Sequence, residues 1–226
     1  MGQQQRIAII NFKAFTEASG LNAVKMAKIC EKVSKETGIK IIVAVQPTDI
    51  REVSRTVSIK VFAQHIDPVL PGEHTGAILP EAVKMQGASG TLINHSEKRM
   101  TAEEIEMAVA RAKSLDLITV VCADTPWKAN LMARFEPDYI AIEPPELVGG
   151  DVSVSTAKPE IITNTVENIQ KVKHIPVLCG AGIKTAEDVK KAIELGAIGI
   201  LVAHGVVKAR DPEQVLRGLV SGLKQF

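Results

Sequence analysis

Three ionisable side chains in this sequence stand directly after short apolar runs, where a strand would end. Lys13 follows "IAIINF", His95 follows "TLIN" and Glu143 follows "YIAI". A carboxylate can act as a general base, a neutral imidazole can polarise a carbonyl group, and an ammonium group can stabilise the negative charge that develops. If these side chains converge, they predict proton transfer next to a carbonyl group.

The first of these positions also carries an amide. Alternation along a strand turns Asn11 and Lys13 to one side and Phe12 to the other, which predicts an amide and an ammonium group in the same pocket. A solvated lysine at a strand end is the alternative interpretation, because so short a motif is weak evidence alone.

The histidine is followed by residues that we expect to start a helix. A helix that begins at Ser96 would point its backbone N–H groups back at the ring of His95. The positive end of its dipole disfavours the imidazolium form, so we expect a neutral ring that can donate a hydrogen bond to a carbonyl group. A structural histidine is the alternative.

The glutamate precedes a segment of changing stiffness, "EPPELVGGDVSVSTAKPE". Two prolines stiffen the chain behind Glu143, and Gly149 and Gly150 then supply hinge freedom. A rigid base followed by a mobile segment is typical of an active site that a lid closes. An ordinary surface loop is the alternative.

Two loops of small residues lie late in the chain, "CGAGI" at 179–183 and "LVAHGVV" at 201–207. Each follows an apolar run, and small residues let backbone N–H groups approach an anion closely. Glycines in tight turns are the alternative, but two such loops in succession favour a phosphate site. The expected substrate is therefore small and phosphorylated.

Eight apolar runs alternate with helix-period segments along the whole chain. Nearly continuous apolar runs indicate strands that are covered on both faces, as in a parallel sheet. No G-x-G-x-x-G follows the first run, and the polar residues collect at several different strand ends. The sequence therefore predicts an α/β fold, a single (β/α)8 TIM barrel over residues 1–226. The predicted strands are 7–12, 40–45, 60–65, 91–94, 118–123, 139–143, 176–180 and 198–203, and the predicted helices are 21–36, 80–86, 102–114, 157–173 and 186–195.

Local signals mark several helix ends. Thr101-x-x-Glu104 and Thr185-x-x-Asp188 are typical of capping boxes at helix starts. Gly196 follows "KKAIEL" and predicts a helix stop.

Composition excludes several classes of function. The 226 residues hold 27 Lys and Arg against 26 Asp and Glu, a net charge of +1, which gives no electrostatic support for binding nucleic acid or a membrane surface. No run approaches the roughly 20 apolar residues of a membrane span. Three scattered cysteines favour a reducing cytoplasm and no zinc site. We expect no metal and no cofactor.

The chain resembles the triosephosphate isomerase family over its whole length, and several of the motifs above carry the resemblance. The matching motifs are Asn-x-Lys on the first strand, "NHSEKR" on the fourth, "EPPELVGG" on the sixth and the two late loops. The short length and "LVAHGVVKA" resemble the archaeal branch. The resemblance implies that the chain interconverts glyceraldehyde 3-phosphate and dihydroxyacetone phosphate through an enediolate, in glycolysis and gluconeogenesis.

The resemblance also implies residue roles. Glu143 would be the general base, His95 would polarise the carbonyl group, and Lys13 would stabilise the enediolate. Asn11 would hydrogen-bond near the substrate, Glu97 would lie beside the pocket, and Cys122 would be structural. The groups implied to bind phosphate are Val148 and Gly149 in the lid and the backbone near Gly182, Ala203 and His204.

Two positions depart from the family pattern. Asp151 puts a carboxylate in the lid, where the family usually reads Gly-Thr-Gly. His204 puts a bulky ring where short relatives usually have Ser. A ring that crowds the phosphate predicts weaker substrate affinity than in a typical member, whereas a protonated ring would strengthen binding.

The segment "LPGEHTGAI" at 70–78 resembles the projecting third loop of the family. The resemblance implies that Thr75 reaches the pocket of a neighbouring subunit, in a homodimer or a homotetramer.

Two alternatives to an isomerase stay open at this point: another phosphate-binding barrel enzyme, and a phosphosugar binder without catalysis. Neither alternative requires Lys13, His95 and Glu143 together.

Overall fold

A computed structural model of the protein describes residues 5–144, 155 and 158–224. Its strands form a closed parallel barrel in chain order, and the last strand pairs with the first. This architecture confirms the predicted (β/α)8 barrel. The strands are β1 Ile7–Asn11, β2 Lys40–Val45, β3 Lys60–Ala63, β4 Gly90–Ile93, β5 Ile118–Ala123, β6 Tyr139–Ile142, β7 Val177–Cys179 and β8 Gly199–Val202.

The strands bury both of their faces, which explains their continuous apolar runs. Ile7 and Ile9 of β1 pack inside the barrel, whereas Ala8 and Ile10 pack outside against the helices. The inner cluster is small and is filled by Ile7, Ile9, Ile42, Ala44, Phe62, Leu92, Val120, Cys122, Ala141, Leu178, Ile198 and Leu201. The interior is therefore packed solid, and an open site has room only at the ends of the strands.

Helices follow the strands and cover the barrel. A short 3₁₀ helix, Thr16–Ala18, lies between β1 and the first α-helix. The α-helices within the described residues are α1 Leu21–Thr37, α2 Ile50–Thr56, α3 Pro80–Met85, α4 Ala102–Ser114, α5 Pro126–Ala133, α6 Pro159–Gln170, α7 Ala186–Glu194, α8 His204–Val207 and α9 Pro212–Ser221.

The sequence analysis did not predict α2, α5, α8 and α9. With only four residues, α8 is too short to give a periodic signal. Only Ile50 and Val53 of α2 are buried, so its apolar stripe is too short to detect. The buried face of α5 is mostly alanine, which gives little periodic signal. The buried Leu216, Leu219 and Val220 of α9 do have helical spacing, and that helix could have been predicted.

The helix ends test the capping signals. Thr101 with Glu104 and Thr185 with Asp188 form complete capping boxes at the starts of α4 and α7, as predicted. Gly196 has a φ of 101° just beyond α7 and confirms the predicted stop. Within the described part of the chain, no helix is long and apolar enough to cross a membrane.

Candidate active site

A cavity of about 170 Å³ opens at the carboxyl ends of the strands. It lies at the end of the barrel where the sequence analysis expected the site. Its lining includes every candidate residue that the structure describes, namely Asn11, Lys13, His95, Glu143, Gly182, Ala203 and His204. Residues that are far apart along the chain therefore meet in one place.

Lys13 is held in an unusual backbone conformation at the end of β1. Its φ is 48°, which is uncommon for a residue with a side chain. The buried Asn11 accepts a hydrogen bond from the Lys13 backbone N–H through Oδ1 at 3.0 Å, and Gln64 donates from Nε2 to the Lys13 carbonyl at 2.9 Å. Phe12 is buried in the outer core, on the other side from Asn11, as alternation predicted.

The ammonium group of Lys13 is paired with a carboxylate. Its Nζ lies 2.8 Å from Oε1 of Glu97. Glu97 follows β4, so this contact joins the first strand of the barrel to the fourth. The Glu97 side chain is largely exposed, which leaves the pair accessible to a ligand in the cavity.

His95 is buried and neutral. Burial, together with the positive charges of Lys13 and Arg99, lowers its pKa to about 4, and the charge of Glu97 opposes this shift. The neutral state agrees with the expectation from the sequence, but the expected cause was wrong. Residues 96–98 form a turn and α4 begins only at Ala102, so no helix dipole starts behind the ring.

The backbone at Glu97 fixes which nitrogen of His95 carries the proton. The Glu97 N–H donates to Nδ1 of His95 at 3.2 Å. Because Nδ1 accepts a hydrogen bond, the proton of the neutral ring must lie on Nε2. This N–H is therefore available as a donor on the side of the ring that faces Glu143.

Glu143 is a buried carboxylate at the end of β6. Its backbone N–H donates to the Ala123 carbonyl at 2.7 Å, which continues the pairing of β5 with β6. Burial raises its pKa, the Cys122 thiol and the charges of Lys13 and Arg99 oppose the rise, and the resulting pKa is about 7. Oε2 is buried and receives no hydrogen bond from any described residue, so the ionised carboxylate is a stronger base than that of an ordinary glutamate.

Glu143 and His95 face each other across the cavity. Oε1 of Glu143 lies 3.7 Å from Nε2 of His95, which is too long for a hydrogen bond. The ring is neutral, so the two groups are not an ion pair either. A proton acceptor and a hydrogen-bond donor therefore point into the same small space without being bound to each other.

The opposite wall of the cavity comes from the loops after β7 and β8. Gly182 has a φ of 69°, a conformation that glycine adopts freely. The backbone N–H groups of His204 and Gly205 donate no hydrogen bond to another described residue. Lys184 also lines this wall and adds a positive charge. Donor groups and positive charge at this end suit an anion.

Sequence reasoning missed two residues that shape the site. Gln64 supports the Lys13 carbonyl, and its signal was available because it is a polar residue at the end of the apolar run of β3. Gly180 leaves room for the base, since a Cβ there would lie 2.5 Å from Cγ of Glu143. No sequence pattern gives that contact, which exists only when β6 and β7 pair.

Several expectations are not tested by these contacts. Val148, Gly149 and Asp151 lie outside the described residues. Thr75 is exposed in a loop whose base is closed where the Asp67 N–H donates to the Ile78 carbonyl at 2.9 Å. Among residues 5–144, 155 and 158–224, no cluster of three or more His, Cys, Asp or Glu could hold a metal ion.

Comparison with known proteins agrees with this geometry. The sequence model of the family described as triosephosphate isomerase matches residues 6–219. The chain is 49% identical over 216 residues to the triosephosphate isomerase of Methanothermus fervidus, covering 95% of this chain and 97% of that protein. The triosephosphate isomerase of Methanocaldococcus jannaschii is 49% identical over 215 residues, covering 95% and 98%. That of Methanobacterium bryantii is 50% identical over 216 residues, covering 95% and 96%.

These matches span nearly the whole of each protein, so the likeness is not confined to the barrel scaffold or to one loop. It includes the strand ends that supply Lys13, His95 and Glu143. The family indicated by the sequence motifs is therefore confirmed, and this chain belongs to the triosephosphate isomerase family.

Proposed function

We propose that the chain interconverts glyceraldehyde 3-phosphate and dihydroxyacetone phosphate in the cavity at the carboxyl end of the barrel. Membership of the isomerase family supports this reaction. One observation supports these residues as the machinery: a base with a raised pKa and a neutral histidine face each other 3.7 Å apart in a cavity that also contains Lys13. Groups with pKa values shifted by burial are typical of catalytic sites.

Glu143 moves the proton between the two reacting carbons of the triose. Removing a proton from the carbon next to the carbonyl group leaves negative charge on the carbonyl oxygen, and the Nε2–H of His95 donates to that oxygen. His95 also moves a proton between the two oxygens, because the carbonyl oxygen gains a proton and the neighbouring hydroxyl group loses one. Because the pKa of Glu143 is about 7, the carboxylate both accepts the proton and returns it readily at neutral pH.

Lys13 supplies the positive charge for the enediolate and for the phosphate. Its backbone is held by Asn11 and Gln64, so the ammonium group begins from a fixed point. The phosphate binds at the other wall, at the backbone of Gly182, Ala203 and His204. Preorganised donors of this kind stabilise developing charge without reorganising during the reaction.

We extend the proposal to the surroundings of the site. Val148 and Gly149 close over the phosphate and exclude water, which protects the enediolate. The chain acts in glycolysis and gluconeogenesis in the cytoplasm; its three cysteines are buried and unpaired, which fits a reducing compartment. It assembles as a homodimer or homotetramer through the loop of Thr75, where Leu70 is 62% exposed.

The test is Glu143→Gln in a coupled assay with glyceraldehyde 3-phosphate and no added metal. Turnover should fall by about 10²- to 10⁴-fold, because the amide cannot accept the proton. Glu106→Gln makes the same chemical change on the exposed face of α4 and should leave turnover unchanged. Turnover by Glu143→Gln at the rate of the unaltered protein would rule out Glu143 as the base.

A further inference from the structure

The ring of His204 stands between the cavity and the loop that follows β1. His204 lines the cavity, and its ring centroid lies 6.0 Å from that of Phe15 with an interplanar angle of 66°. This is an edge-to-face contact of the kind that orients aromatic rings. Within the described part of the chain the ring nitrogens of His204 form no hydrogen bond, so they remain available to a ligand.

An ion pair lies beside Phe15. Lys208, one turn after His204, has its Nζ 5.7 Å from the centroid of Phe15 and 2.5 Å from Oε1 of Glu17. These contacts join α8 to the 3₁₀ helix after β1. Phe15 therefore contacts both Lys208 and His204, and its ring limits how far the ring of His204 can turn toward it.

This placement changes the expectation drawn from the sequence. A ring that pointed straight into the cavity would crowd the phosphate. The ring of His204 instead packs against Phe15 and stays exposed, so it forms part of the rim. An imidazole carries at least one N–H in either protonation state, and a rim position lets that N–H reach an anion held by the neighbouring backbone.

We propose that the side chain of His204 is a specificity-determining ligand that donates a hydrogen bond to the phosphoryl group of the substrate. The inference rests on the proposed function for the position of the phosphate, at the backbone of Gly182, Ala203 and His204. It adds a side-chain donor to that backbone. Hydrogen bonds to a phosphate are charge-assisted and stronger than those between neutral groups. The chain thereby selects phosphate monoesters over uncharged trioses more strongly than the backbone alone would.

Binding of two probes that do not react tests this assignment. Inorganic phosphate and glycerol 3-phosphate, a monoester without a carbonyl group, are titrated into the full chain by calorimetry. His204→Ala removes the donor and should weaken both by about 10- to 100-fold, as expected for one lost hydrogen bond to a charged group. His204→Gln keeps an N–H donor and should stay within about threefold of the unaltered protein. His174→Ala, the same change at the opposite end of the barrel, should have no effect.

Phe15→Leu tests whether the aromatic contact positions the ring. It should weaken phosphate binding about threefold when His204 is present and leave it unchanged in His204→Ala, because coupled residues are not additive. An equal effect of Phe15→Leu in both backgrounds would overturn the positioning by Phe15. A His204→Ala variant that binds either probe as tightly as the unaltered protein would overturn the assignment itself.

Measurements of KM and kcat distinguish a failure of this inference from a failure of the proposed function. In the isomerase assay His204→Ala should raise KM far more than it changes kcat, because the hydrogen bond is made equally in the bound substrate and in the transition state. A fall in kcat at constant KM would contradict the inference. If the chain proved not to be an isomerase, the titrations with phosphate would still report on His204, so the two failures are distinguishable.

Discussion

At the scale of single residues, the site depends on burial that holds two ionisable groups in their less usual forms. Burial raises the pKa of Glu143 to about 7 and lowers the pKa of His95 to about 4. Between these values the histidine is neutral, and the glutamate gains and loses a proton near neutral pH. The same two shifts act on stability, because a pKa that differs between the folded and unfolded states makes the free energy of unfolding depend on pH.

Glu143 gives a test of this link. The folded protein binds the proton of Glu143 more tightly than the unfolded chain, so the resulting stability is complete below pH 4.5 and is lost as the pH rises through about 7. Glu143→Gln cannot ionise, and we expect it to be more stable than the unaltered protein at pH 8 by about 3 kcal/mol. Urea unfolding at pH 5 and pH 8 measures the difference. The difference in the free energy of unfolding should shrink several-fold at pH 5. An equal difference at both pH values would show that the buried carboxylate is not the cause.

The chemistry-bearing residues were predictable, whereas their supports were not. Lys13, His95 and Glu143 could be selected because an ionisable residue after an apolar run is badly placed for packing and well placed for a cavity. Gly180 acts only through its distance from Glu143, which depends on the pairing of β6 with β7. The cause of the neutral His95 was also missed, because burial inside a barrel cannot be measured along a sequence.

At the scale of elements, the geometry of the site depends on how near to each other the ends of neighbouring strands lie. β6 pairs with β7, and Gly180 after β7 lets the side chain of Glu143 lie against the backbone. After β4 the site depends instead on a turn, because the helix predicted to begin at Ser96 does not form there. The capping box at Thr101 was the stronger signal for the true start of α4, and the turn before it leaves room for the Glu97 N–H to reach His95.

Gly180→Ala tests the fit between these strand ends. The added Cβ would lie 2.5 Å from Cγ of Glu143, so the carboxylate must move. We expect kcat to fall by about 10- to 100-fold, because small misplacements of a catalytic group are costly, and stability to fall by about 1–3 kcal/mol. Steady-state kinetics and urea unfolding measure both effects.

Gly218→Ala is the matched control, because nothing lies within 4 Å of its Cβ. It should keep full activity and gain slightly in stability, since alanine favours a helix. If Gly180→Ala kept the kcat of the unaltered protein, the contact with Glu143 would not position the base.

At the scale of the whole molecule, the barrel closes on itself. β1 pairs with both β2 and β8, so none of the eight strands in the described part of the chain forms a free edge. The continuous outer core packs the helices against the barrel all the way around. We therefore propose that residues 1–226 form a single domain that unfolds cooperatively.

Hydrogen exchange tests this proposal. The slowest amides of β1–β4 and of β5–β8 should open with the same free energy, because the two halves cannot unfold separately without exposing the inner core. Mass spectrometry at a fixed protein concentration measures both halves in one sample. Two clearly different opening free energies would show two separate folding units.

The pairing of β8 with β1 also has a consequence for synthesis on the ribosome. Lys13 leaves the ribosome well before Ala203 and His204, which form the part of the anion-binding wall after β8. A nascent chain that stops before β8 carries the ammonium group and the base, but it lacks this part of the wall. Truncated products that end before β8 should therefore have no isomerase activity, and activity should appear only once β8 has been released and has paired with β1.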